Sequence, residues 1–167
     1  PLSPVADPTT HLRVERVVLV PLAEIVRDTD VPGQGKVSEL AKHAGDAGVR
    51  LIKEWLPLAV KDGGNIVARA HMMVAASMGS TAFQKGLGAV HSISHPAGAM
   101  YGVHHGLANA VLLPYVYHRI WPSCLDKMYV LCDIFSISYA GKDNMHVAKE
   151  VVQSLHELVK DVGLPTS

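Results

Sequence analysis

From Ser38 onward the apolar positions recur at helical spacing. Leu40, Ala41, Ala44, Leu51, Ile52, Trp55, Leu56 and Val60 fall on roughly one side of a 3.6-residue turn, and this predicts an amphipathic helix that Pro57 bends or ends. Asp62, Gly63 and Gly64 punctuate the chain, and Asn65 then stands where a side-chain oxygen can accept from the first orphan amides of a second helix through Ala68, Met72, Ala75, Ala76, Met78 and Ala82. Its small residues imply close packing, and Met72, Met73 and Met78 are assigned to that packing. Gly86 and Gly88 interrupt the pattern. A short helix from Ala89 through His95 follows, giving way to an irregular loop around Pro96, Gly98, Tyr101 and Gly102. A further apolar helix is expected after His104, His105 and Gly106, with Pro114 inside it, and residues 125–139 are strongly apolar. Asp143 or Asn144 caps a last amphipathic helix carrying Val147, Val151, Leu155, Leu158 and Val159, which Gly163 and Pro165 close.

Residues 1–36 lack such a pattern. Prolines, a Val17 to Val20 run that suits a strand or a buried helix, and a turn-rich stretch over residues 28–35 mark a linker or atypical segment spanning residues 1–37. The reading is therefore all-α: a helical bundle over residues 38–167 with no internal repeat.

Composition narrows the class. With 49% hydrophobic and 18% charged residues the chain can bury enough apolar surface to offset its conformational entropy. Lys+Arg and Asp+Glu are balanced at 15 each, which leaves no basic footprint for nucleic acid or an anionic membrane. No run of apolar residues is long enough to cross a bilayer, and the Pro-rich start is unlike a signal region, so a cytoplasmic protein is expected. Cys124 and Cys132, eight apart, lack the tight pairing of a zinc knuckle or redox motif and read as buried thiols.

Histidine is the feature that composition does not absorb: ten residues, four of them within residues 91–105. His91 and His95 are four apart and so share a helix face one turn from each other. Zinc-protease helices place Glu directly after the first His as the base, whereas here Ser92 follows, which disfavours metal-dependent proteolysis. His104 and His105 open the next helix, where a turn can fold them back toward His91. Neutral imidazole suits Zn²⁺ or Fe²⁺, and a catalytic ion needs about three protein ligands with one position left open. A helix-start His bonding backbone and a core His on an apolar face are the bland readings, and residue spacing alone leaves both open. His11, His43, His71, His118, His146 and His156 read individually as structural or solvated. A histidine-ligated haem bundle is disfavoured by 5% aromatic content and the lack of an attachment motif.

The stretch over residues 86–101, with Gly86, Gly88, His91, Ser92, His95, Pro96, Gly98 and Tyr101, resembles the signature of the iron-containing (group III) alcohol dehydrogenases. So does the following stretch with His104, His105, Gly106, Leu107, Asn109 and Pro114, and the interval of fourteen between His91 and His105 matches it too. The likeness extends through residues 50–57 and 68–73 and ends near residues 163–167. It implies the C-terminal helical metal-binding domain of a two-domain enzyme. In that family an N-terminal α/β domain binds NAD or NADP, and Fe²⁺ (or Zn²⁺) in the intervening cleft polarises the oxygen of an alcohol that is interconverted with an aldehyde or ketone by hydride transfer. The family's metal is held by an Asp and three His. His91 and His105 match two of those histidines. His95 matches the histidine that lines the nicotinamide and substrate side, which makes it the candidate catalytic and cofactor-facing residue. His104 stands where many members carry proline.

The family's other Asp and His lie four positions apart on one earlier helix, with three residues between them, and no such stretch precedes Arg50. Asp7 and His11 alone have that spacing, but Val5, Ala6, Asp7 and Pro8 read as the linker before the helical domain. The resemblance thus implies a half-cleft that acts with a nucleotide-binding domain as its partner, is inactive alone, and self-associates through exposed apolar surface. The alternative is a helical interaction or scaffold module that kept the fold without metal or catalysis.

Overall fold

The computed structural model describes residues 35–82 and 86–166, with side chains of the first helix described from His43 onward. Asp7, His11 and the Val17 to Val20 run lie outside these residues. Six α-helices and no strand occur among the described residues, as the helical period predicts. They are α1 (Gly35–Lys61), α2 (Ile66–Ala82), α3 (Ala89–Tyr101), α4 (His105–Ile120), α5 (Leu125–Phe135) and α6 (Asn144–Asp161), with a 3₁₀ turn at Trp121–Ser123.

Local chemistry sets most of the boundaries. Asn65 Oδ1 accepts from the Ala68 amide at 3.0 Å and Asp143 Oδ1 from the His146 amide at 2.8 Å, so α2 and α6 start where the sequence places their caps. At the far end of α6, Gly163 adopts a left-handed backbone (φ 78°). Its amide donates to Lys160 O and that of Leu164 to Val159 O, which satisfies carbonyls that the end of a helix leaves orphaned.

Helices α1 and α3 each carry a proline inside them. Pro57 lies within α1, which continues to Lys61, and Pro96 lies within α3, which continues to Tyr101. The expected loop from Pro96 is therefore helix. A proline withdraws one donor from the carbonyl four residues earlier, here at Lys53 and Ser92, and both of those residues are exposed to water that can take the donor's place.

The helices pack in pairs: α1 with α2, α3 with α4, α4 with α6, and α5 with α6, while α1 also touches α5 and α6. Val49, Ile52 and Leu56 of α1 meet Met72 of α2, Leu113 and Tyr117 of α4, Met128 and Leu131 of α5, and Val151 and Leu155 of α6 in one buried cluster. Each such large side chain contributes about 1.5–3 kcal/mol by leaving water. The contribution of α3 to this cluster is Val90, so the helix lies at the edge of the core with its remaining faces turned outward. Of the three methionines assigned to packing, Met72 is buried but Met73 is 75% exposed. Adjacent helix positions are about 100° apart, so both cannot face α1. Both cysteines are buried free thiols. No described helix is long and apolar enough to cross a membrane.

Candidate metal centre

The edge position of α3 is what creates a site. His91 and His95, one turn apart, project from α3 toward the start of α4, and the chain reverses between them at Gly102 (φ 66°), whose amide donates to Gly98 O. His104 then caps α4, its Nδ1 accepting from the Leu107 amide at 3.3 Å, and this leaves His105 as the first helical residue facing α3. Of the two adjacent histidines, one serves the backbone and the other joins the cluster.

His91, His95 and His105 form a triangle of imidazoles. Ring centroids lie 5.3 Å apart for His91 and His95, 5.1 Å for His91 and His105, and 5.1 Å for His95 and His105. One nitrogen from each ring lies within 4.8 Å of the others. His91 forms the buried floor at 1% exposure, while His95 and His105 are exposed. No carboxylate or thiolate among the described residues belongs to this group. In their neutral form three imidazoles meet the minimum protein donor set of an open zinc-type or iron-type site, and their softness suits a borderline divalent ion rather than Ca²⁺ or Mg²⁺. Bonds of about 2.1 Å place tetrahedral ligands roughly 3.4 Å apart, so the rings must draw inward, and the two exposed ones have the room to do so.

Electrostatics favour the ligating form at His105. Burial lowers its pKa from 6.5, and the neighbouring imidazoles of His91, His95 and His104 push the same way, since clustered cations repel. A lowered pKa keeps the ring neutral, as a ligand must be.

Asn109, one turn beyond His105 and 1% exposed, escaped the sequence reading. Its Nδ2 lies 3.2 Å from Nε2 of His91 and 3.0 Å from Nε2 of His105. Its spacing of four from His105 was the available signal, but an Asn beside an apolar run carries no ligand signature of its own.

Residues 37–167 match the model for the Fe-containing alcohol dehydrogenase family, C-terminal. The chain is 33% identical over 119 residues to an NAD-dependent methanol dehydrogenase of Bacillus methanolicus, covering 71% of this chain and 31% of that protein. It is 36% identical over 118 residues to a methanol:N,N-dimethyl-4-nitrosoaniline oxidoreductase of Rhodococcus erythropolis, covering 70% of this chain and 28% of that one. Among solved structures, an alcohol dehydrogenase from Oenococcus oeni superimposes with a TM-score of 0.81 at 25% identity, over 95% of this chain and 40% of its own. This chain thus spans less than a third of the length of these curated relatives.

Proposed function

Because the chain belongs to the Fe-containing alcohol dehydrogenase family, of which it carries the C-terminal helical domain, we propose that it supplies the metal-holding wall of the cleft in an NAD(P)-dependent alcohol dehydrogenase. The observation that carries this reading is the convergence of His91, His95 and His105 from two helices onto one open point at the edge of the bundle. In this reading His91 and His105 hold the ion through ring nitrogens, and His95 lines the substrate and nicotinamide side. Bound there, Fe²⁺ (or Zn²⁺) supplies Lewis-acid polarisation of an alcohol oxygen while NAD or NADP accepts the hydride. His95 presents an exposed imidazole that can take the hydroxyl proton.

The surroundings support a face meant to be covered. Ile93 (48% exposed), Met100 (71%) and Tyr101 (75%) stand on the helix that carries the histidines, an apolar rim unlike a solvated surface. A nucleotide-binding domain closing over that rim would exclude water from the reacting centre. Two ligands from this half bind an ion weakly on their own, and the chain by itself is expected to lack dehydrogenase activity. The apolar side chains Ile66, Val67, Met73 and Val74 on α2 also favour self-association.

Zn²⁺ or Co²⁺ titration of the 167-residue chain, followed by metal analysis, tests the reading. The expected result is one ion per chain, lost in His91→Ala and in His105→Ala. If the parent chain holds no metal under saturating Zn²⁺, Co²⁺ or Fe²⁺, the reading fails and the module is left with a binding role without chemistry.

A further inference from the structure

We propose that Asn109 is a positioning residue that sets the tautomer of both metal-binding imidazoles; this rests on the reading of His91 and His105 as ligands. A neutral imidazole can carry its proton on either nitrogen, and which nitrogen keeps a lone pair for a metal depends on what the other and its neighbours bond to. Here one side-chain amide decides for two rings at once. The amide group of Asn109 has two N–H bonds and no lone pair to offer, and its nitrogen stands 3.2 Å from His91 Nε2 and 3.0 Å from His105 Nε2. Each ring therefore accepts at Nε2 and carries its proton at Nδ1. Both lone pairs then point to the same place, the position of the amide.

Three features make this more than a packing contact. Asn109 is buried at 1% exposure, so water does not compete for its donors. Asn109 shares α4 with His105, while His91 comes from α3, so the side chain couples the two helices at the level of the site. Its Oδ1 is buried without a hydrogen-bond partner among the described residues. The amide thus spends its donors on the two rings while its acceptor goes unused, a cost of about 1–3 kcal/mol that a purely structural residue would not be expected to retain. When an ion arrives the amide gives up its place at both Nε2 atoms, which are already deprotonated and aimed. Metal binding then needs neither a tautomer shift nor a ring flip.

The test begins with the tautomers, read by long-range ¹⁵N–¹H correlation on the metal-free 167-residue chain at mildly alkaline pH. The expected spectrum shows His91 and His105 both protonated at Nδ1 and bare at Nε2. Protonation of both at Nε2, as an amide turned to face them with its oxygen would require, overturns the proposal. In Asn109→Leu, which keeps the bulk and removes the donors, the rings should redistribute toward Nε2–H and Co²⁺ affinity should fall about 10–100-fold, the range of lost supporting contacts around a metal. Asn109→Asp, which accepts instead of donating, should drive both rings to Nε2–H and serves if the Leu variant does not fold. Unchanged tautomers and unchanged affinity in a folded variant refute the role of Asn109 while leaving His91 and His105 as ligands. A parent chain that binds no metal but shows Nδ1–H rings that shift in the variants refutes the ligand reading instead.

Discussion

The seam between α1 and α2 offers a substitution whose sign can be worked out from distances. Gly48 lies against α2: a Cβ built there would stand 3.3 Å from Met78 Cβ, 3.5 Å from Ala75 O and 3.9 Å from Gly79 N. Ala is favoured over Gly in a helix by about 1 kcal/mol, so Gly48→Ala would stabilise the chain if there were room. Carbon atoms pack best at about 3.5–4.0 Å, and the atom in the way is a Cβ fixed to the α2 backbone, not a flexible tip, so the helices must part by a few tenths of an ångström. Overpacking of this kind costs about 1–3 kcal/mol. Subtraction leaves Gly48→Ala neutral to destabilised by about 2 kcal/mol, and Gly48→Leu destabilised by about 3 kcal/mol. Gly163→Ala is the control, since nothing lies within 4 Å of its Cβ and φ is +78°. Its cost of about 1–2 kcal/mol comes from the left-handed backbone alone. Urea unfolding followed by far-UV circular dichroism measures all three, with thermal shifts of about 2–4 °C per kcal/mol for a chain of this size. A Gly48→Leu protein that unfolds at the parental midpoint, or a Gly48→Ala protein stabilised by a full ~1 kcal/mol, would show that the seam has slack and refute the reasoning.

Two further outcomes concern titration. Burial raises the thiols of Cys124 and Cys132 to about 11, helped by Asp126 at the first and by Asp133 and Glu150 at the second, so at neutral pH only roughly one thiol in ten thousand is ionised. Both should react with a thiol reagent in urea and resist it in the native chain, and rapid native labelling at neutral pH would contradict their placement. Glu150 accepts from Lys142 Nζ at 2.8 and 2.6 Å, and this hydrogen bond, with the charges of Lys142 and His146, holds its pKa below 4.5. A depressed carboxylate stabilises the fold above its ordinary range and loses that contribution as pH falls through the folded value. Lys142→Met should therefore shrink the drop in melting temperature between neutral and acid pH and move the Glu150 NMR titration upward, whereas an unmoved midpoint would rule out the pair.

Much of the architecture follows from short-range chemistry, and so it was legible along the chain. The 3.6-residue period marks the stripe of α6 because Val147, Val151, Leu155 and Leu158 face one core, and Asn65 and Asp143 announce helix starts because each side-chain oxygen satisfies an amide three residues on. His91 and His95 share a face for the same reason of periodicity, and His105 could be paired with them through the resemblance of the surrounding stretch. What local patterns do not contain is the outcome of competition between distant groups. Whether Pro96 ends a helix depends on whether water can reach the carbonyl it strands, and Met73 is exposed because one face of α2 meets α1 and that face belongs to Met72. Only the packing of α3 against α4 brought three imidazoles within 4.8 Å, assigned His104 to a cap while its neighbour joined the cluster, and set Asn109 between two rings that are eighteen and four residues away from it. A hydrogen bond or a ligand sphere is a condition on distance in space, and the chain supplies the donors long before anything but the tertiary fold decides which of them meet.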